Sequence, residues 1–286
     1  MEYATLGRTG RRVSRLGFGG ATAGLRNYLG EFDPERAEDR EPVVAAIRRA
    51  LDLGVTYFDT AAGYGAGASE RLFGEGLADA DPEAIFLATK AGVCDADGVR
   101  RSLEASLRNL RREWIDLLQV HGSAYAPEQC DAILADGGML AAMERMRDQG
   151  LVRWLGFTSE AQNPGLYRLI ASGRFDVMQV CYNLIYQHPC DPSRGTGCLY
   201  DAEAAGLGIV TMRSATSGIF QKWVQTVNPA NAFDYTPALI QFVLSNPLVD
   251  VALVGMRAVA EVEANARLAD DRDGRIDLDA LHQRYV

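Results

Sequence analysis

The chain has 286 residues, 48% of them hydrophobic, enough to bury a large core as one big α/β domain or as two ordinary ones. A net charge of −9 and a pI near 5.0 argue against a broad surface for nucleic acid or anionic lipid, leaving at most a local basic pocket for a phosphate. Charges interrupt the N-terminal MEYATLGRTGRRVSRLGFGG where a signal peptide needs an apolar run, and no later segment offers about 18 uninterrupted apolar residues, so neither export nor membrane insertion is expected.

Tyr3–Leu6 and Arg12–Ser14 flank Gly7-Arg8-Thr9-Gly10, predicting a β-hairpin that closes the bottom of a barrel. Behind it, short β-branched or apolar runs alternate with longer amphipathic segments, the pattern of repeated βα units around a parallel sheet. Strands are predicted at Leu16–Gly19, Thr56–Asp59, Ile85–Lys90, Ile115–His121, Val152–Thr158, Val177–Tyr182, Gly208–Arg213 and Val251–Val254. Between them, Pro42–Leu53 reads as a helix stopped by Gly54, Ser69 opens a helix through Leu77, and Asp97–Leu110 has the apolar spacing of a half-buried face. Eight parallel strands over this length match a (β/α)₈ TIM barrel with its helices outside, whereas an open doubly wound sheet more often has fewer strands and a second domain. No Pro/Gly/Ser linker divides the chain, so residues 1–286 are read as one domain. Leu25–Glu41 and Ser214–Asp234 follow the first and seventh barrel strands without a regular pattern, fall on the face that carries active sites, and are the candidate substrate loops.

Three successive strands end in residues suited to proton transfer: Asp59 in TYFDTAAGYG, Lys90 in IFLATKAG and His121 in DLLQVHGS. The C-terminal strand ends of a βα barrel converge on one mouth, so these side chains should meet, joined by Tyr64 from the glycine-rich loop after Asp59. A phenol titrates near pH ~10, too high for efficient proton transfer unless a positive charge stabilises the phenolate. Lys90 supplies that charge, Asp59 the counter-charge, and His121 a donor that orients a carbonyl oxygen. Of the 29 basic residues only Lys90 and Lys222 are lysine, and an ammonium, unlike a guanidinium, can take part in proton traffic. Singly, each has a plainer reading: Asp59 as a turn cap, Tyr64 as a loop aromatic, His121 as a core histidine, Lys90 as a surface residue. Their joint occurrence on successive strand ends is what points to chemistry.

The motifs YFDTAAGYG-x₃-SE, LATKAG and DLLQVH, set in a match that runs from LGRTGRRVSRLGFGG through the eighth βα unit, resemble the aldo-keto reductase family. The resemblance puts the family's catalytic tetrad on Asp59, Tyr64, Lys90 and His121 and implies pro-R hydride transfer from NAD(P)H with Tyr64 as general acid. It further implies that Thr158 and Ser159, in LGFTSE, and Gln179, in MQVCYN, hold the nicotinamide carboxamide. Arg213 in IVTMRSATSG stands at a position that stacks on nicotinamide, and Ser214 at one that contacts the pyrophosphate. ALVGMRAVAEVEANA resembles the segment for the 2′-phosphate and adenine, implicating Gly255, Met256, Arg257 and Asn265. Glu261 lies in the same segment, where a carboxylate would repel a 2′-phosphate. With Arg257 as the NADP-like feature and Glu261 against it, the resemblance implies NADP(H) as the favoured cofactor and NAD(H) as the second.

The implied partner is a small carbonyl, alcohol or sugar lactol, in a cytoplasmic protein that is a monomer or weak homo-oligomer. Tyr28, Tyr125 and Trp223 are the candidate pocket aromatics, and the chain's end at Tyr285-Val286 suggests an open pocket. No metal is expected, because His121, His188 and His282 are far apart, and the five cysteines lack C-x-x-C spacing and read as reduced thiols. Gly17-Phe18-Gly19-Gly20 and Gly63-Tyr64-Gly65-Ala66-Gly67 lack the spacing of a Rossmann fingerprint. Two rival functions remain: a cofactor-sensing binding protein with little turnover, as in channel-associated members of the resembled family, and a barrel isomerase or aldolase that uses Lys90 as a Schiff base.

Overall fold

In the computed structural model of the chain, which describes residues 1–283, the strands predicted from sequence close into a parallel barrel. A hairpin of β1 (Tyr3–Thr5) and β2 (Arg12–Ser14) precedes it. The barrel strands are β3 (Leu16–Gly19), β4 (Tyr57–Asp59), β5 (Phe86–Gly92), β6 (Ile115–His121), β7 (Val152–Ser159), β8 (Val177–Cys181), β9 (Gly208–Met212) and β10 (Val251–Gly255). They pair in sequence order, and β10 returns to β3 with Val254 opposite Phe18. The helices are α1 (Ala21–Gly24), α2 (Ala37–Asp52), α3 (Ala68–Gly76), α4 (Ala96–Leu110), α5 (Pro127–Leu134) and α6 (Met139–Asp148). They continue with α7 (Pro164–Ala171), α8 (Cys198–Ala204), α9 (Ile219–Val227), α10 (Thr236–Leu244), α11 (Val259–Asp270) and α12 (Leu278–Gln283).

Two apolar layers follow from the alternation of strand side chains. Tyr57, Phe86, Leu117, Val177, Val210 and Val251 fill the lower barrel interior, while their strand neighbours Phe58, Leu87, Leu118, Met178 and Ile209 pack outward against helices. The hairpin plugs the floor: Leu6 is fully buried in the inner cluster, and Arg8 N donates to Gly206 O at 2.8 Å. Gly7 (φ 41°) is required there, since a Cβ would lie 2.2 Å from Gly208 N. Carboxylates at the starts of alternate strands bind amides of the preceding strand: Asp116, Asp176 and Asp250 accept from Leu87, Leu155 and Ile209 N, each at 2.9 Å. These bonds secure the bottom and leave the upper face to carry the site.

Three local expectations are corrected. The helix expected at Pro42–Leu53 starts at Ala37 and carries Pro42 inside, because Glu38 and Asp39 favour the positive end of the helix dipole and Asp39 is held by Arg36 Nε at 3.0 Å. Ser69 does not cap α3: Gly67 in the left-handed region does, and the Ser69 hydroxyl instead donates to Gly20 O at 2.9 Å and accepts from Thr60 Oγ1 at 2.8 Å. Ser214–Asp234 is not wholly irregular, since it contains α9, a helix with no buried residue. Tyr285 and Val286, on which the open-pocket expectation rests, lie outside the described residues, as does the side chain of His282.

Candidate active site

Strand parity places the polar residues of the upper barrel. On β4, Asp59 follows Tyr57 by two; on β5, Lys90 follows Phe86 and Ala88; on β6, Gln119 and His121 follow Leu117. All continue the inward face of their strands above the apolar layer. Tyr64 is brought over them by a tight loop in which Gly65 (φ 65°) runs against α1, where a Cβ would lie 2.1 Å from Gly24 O.

Lys90 Nζ lies 2.5 Å from Asp59 Oδ1 and donates to Thr60 O at 2.8 Å. It reaches Tyr64 OH at 3.5 Å and sits 5.0 Å from the centre of the Tyr64 ring. Gln119 Nε2 bridges Asp59 Oδ2 and Gln179 Oε1, each at 3.1 Å. The His121 ring stands edge-on to Tyr64, with centroids 5.5 Å apart. The four side chains expected to meet therefore do meet, and Gln119, overlooked in the sequence, joins them. Its signal was its position two residues before His121 on one strand face.

The electrostatics follow from burial. Burial pushes the Asp59 carboxyl up, opposed by Lys90 and by bonds from Gln119 and Gln179. Burial also pulls the Lys90 ammonium down, but Asp59 and Tyr64 outweigh it and raise Lys90 above its ordinary value. The 2.5 Å contact between the two groups has the geometry of an ion pair. For Tyr64 burial outweighs Lys90, so the phenol titrates above its usual range. This corrects the expectation that Lys90 dominates: the desolvation that strengthens its attraction also penalises the phenolate. Burial, with the Lys90 charge second, pulls the His121 imidazole down to about 4, leaving it neutral near pH 7. The rate of reduction, kcat/KM, is accordingly expected to show no His121 inflection between about pH 5 and about pH 9; a pH profile with a step near 6 to 7 would refute the neutral assignment.

A cleft of about 300 Å³ opens above this set, lined by Asp59, Tyr64, His121, Thr158 and Gln179 at one end and by Thr22, Val254 and Gly255 at the other. Glu160, Arg213 and Ser214 line its wall, and Tyr28 reaches it from the loop after β3. Ser159 does not: as the outward neighbour of Thr158 it buries its hydroxyl against Ser123 O and Ala161 O at 3.0 and 2.8 Å. Tyr125 is likewise no pocket aromatic, being 1% exposed with its hydroxyl on Thr158 O at 2.7 Å. Trp223 lies 58% exposed on α9 and Met256 is buried in the core, neither against the cleft. Asn265 is buried on α11. Cys181 is buried with its thiol pushed up to about 11, which makes it a poor nucleophile.

Beside Thr22, polar groups lie behind the cleft lining. Thr22 Oγ1 and Arg257 Nη2 are buried without a partner. Arg257 Nε donates to Thr22 O at 2.8 Å, and its guanidinium lies 4.0 Å from the Phe32 ring centre. Glu261 Oε2 accepts from Arg257 N and Ala258 N at 2.6 and 3.1 Å, closing the N-terminus of α11 with its own carboxylate. A cleft that holds a proton-transfer set and is backed at Thr22 by Arg257, itself outside the lining, suits a dinucleotide.

The model of the Aldo/keto reductase family matches residues 15–238. The chain belongs to that family. As an aldo-keto reductase it is an NAD(P)-dependent oxidoreductase. It is 28% identical to L-galactose dehydrogenase of Arabidopsis thaliana over 93% of this chain and 87% of that protein, and 26% identical to D-threo-aldose 1-dehydrogenase of a Pseudomonas species over 91% and 90%. The fold matches that of an aldo/keto reductase from Klebsiella pneumoniae in complex with NADP and acetate, with a TM-score of 0.74 and 21% identity over 99% of this chain and 94% of that one.

Proposed function

We propose that this reductase moves a hydride between NADP(H), with NAD(H) as the second choice, and an aldehyde or ketone or the hemiacetal carbon of an aldose, with Tyr64 passing the proton. The observation that carries the reading is the buried Lys90–Asp59 pair with Tyr64 OH 3.5 Å from Lys90 Nζ, open to a cleft that His121 also lines. The nicotinamide, when bound, supplies or accepts the hydride. During reduction Tyr64 holds its proton until negative charge develops on the substrate oxygen and then donates it. Lys90 stabilises the phenolate left behind, and Asp59 keeps Lys90 charged in a buried position. Neutral His121 donates to the same oxygen and orients it. In the oxidative direction Tyr64, as phenolate, takes the hydroxyl proton. The sugar dehydrogenases among the relatives support an aldose hemiacetal, oxidised to its lactone, as one substrate class.

Thr158 and Gln179 are proposed for the carboxamide, Arg213 and Ser214 for the nicotinamide and pyrophosphate, and Arg257, with Gly255 and Asn265, for the 2′-phosphate and adenine. The partnerless Arg257 Nη2 favours NADP(H), while Glu261 opposes it by holding the two amides a phosphate would use. Titration with NADPH and then NADH should quench protein fluorescence, and the better one should support turnover of a reactive aldehyde or an aldose. Binding of neither would refute the function. Glu261→Gln should tighten NADPH about tenfold relative to NADH; an unchanged ratio would remove Glu261 from cofactor choice. The acidic net charge favours a monomer or weak homo-oligomer and argues against nucleic-acid or anionic-membrane partners.

A further inference from the structure

The family resemblance gives Arg213 a stacking role and assigns it no partner. In the fold Arg213 and Glu160 form an ion pair, Arg213 Nη2 to Glu160 Oε1, linking the upper ends of β7 and β9 across the intervening β8. Both line the catalytic cleft, beside Gln179. Glu160 is braced from behind, because Ser123 Oγ donates to its second oxygen at 3.2 Å and Glu160 N donates to Ser123 O at 2.8 Å. Arg213 is braced at its backbone: Asn183 Nδ2 and Thr216 N donate to its carbonyl at 3.0 and 2.7 Å.

That backbone sits at φ 57°, a left-handed conformation that a non-glycine residue adopts at a cost, followed by Thr216 (φ 56°) and Ser217 (φ 51°). The chain thus maintains an unfavourable turn that aims the Arg213 side chain along the cleft wall, and Glu160 fixes the far end of that side chain. A long arginine held at both ends loses little further freedom when a ligand settles against it, whereas a free one is immobilised only at binding.

We propose that Glu160 is a positioning residue for the nicotinamide end of the cofactor, acting through Arg213, whose guanidinium it holds in place before the cofactor arrives. This rests on the cofactor reading above, with Arg213 as the contact. Glu160 itself touches neither the proton-transfer set nor the Asp59–Lys90 pair, so its loss should fall on binding rather than on chemistry.

The test is a double-mutant cycle read by the nucleotide dissociation constant, from quenching of protein fluorescence by NADPH and NADH. Glu160→Ala and Arg213→Ala should each weaken binding about tenfold, and the double variant should be no weaker than Arg213→Ala alone. Glu160→Asp, which keeps the charge, should recover most of the loss, with Glu160→Gln intermediate. For Glu160→Ala the KM for cofactor should rise by a larger factor than kcat falls. Thermal stability should be unaltered, since both side chains are about a third exposed (34% and 39%) and a pair so placed contributes little to folding. Multiplicative effects of the two substitutions, or unchanged binding by Glu160→Ala, would overturn the proposal while leaving the reductase reading intact. Absence of nucleotide binding by the unaltered protein would overturn both.

Discussion

Replacing Tyr64 by phenylalanine is expected to lower kcat for carbonyl reduction by about 10³-fold while leaving the nucleotide dissociation constant unchanged. The ring, its edge contact with His121 and its packing over Lys90 are retained, and only the hydroxyl 3.5 Å from Lys90 Nζ is lost. The size of the effect follows from the environment of that hydroxyl. Burial keeps it protonated, and Lys90 waits to stabilise the phenolate as it forms, so no other group offers both a proton and a prepared counter-charge. Steady-state turnover of an aldehyde or aldose, paired with fluorescence titration, separates the two quantities. Activity within tenfold of the unaltered protein would transfer the proton-donor role elsewhere, with His121 the next candidate.

Lys90→Met should be damaging in two ways. Activity should fall by at least about 10²-fold, since the phenolate loses its stabilising charge. Folding stability should fall by about 3 to 5 kcal/mol, because Asp59 is left as a buried carboxylate without its cationic partner, facing only neutral amide side chains. In thermal denaturation this corresponds to a loss of about 10 °C. Combining Lys90→Met with Asp59→Asn should restore most of the stability, because the unpaired charge is then removed, yet leave activity low. Recovery of activity along with stability would mean that the pair serves only the fold. A single variant as stable as the unaltered protein would mean that Asp59 is neutral in the native state, contrary to the ion pair described above.

How far the site could be read from sequence depended on the kind of element that carries each residue. Asp59, Lys90 and His121 end strands, and a strand end in a βα barrel has only one destination, so their meeting was legible without coordinates. Gln119 obeys the same rule, two residues before His121, and was within reach of a stricter use of parity. Ser159 shows the rule applied too loosely: a motif placed it beside Thr158 in the cleft, but neighbouring strand residues face opposite sides and only Thr158 faces inward. Loop aromatics carry no such periodicity. Tyr28 lines the cleft, Tyr125 is buried with its hydroxyl on Thr158 O, and Trp223 is exposed on α9, outside the cleft lining.

The sequence by itself determined the succession of strands and helices, the hairpin before them and the convergence of Asp59, Tyr64, Lys90 and His121. All of these are encoded in residues close together along the chain, through periodicity, turn chemistry and strand ends. Only the tertiary structure decided that burial outweighs Lys90 at the Tyr64 phenol, that Gln119 ties Asp59 to Gln179, that Glu261 closes its own helix, and that Glu160 grips Arg213 across β8. Desolvation and cross-strand pairing depend on groups far apart in the chain, and their strengths are set only once the barrel has closed around them.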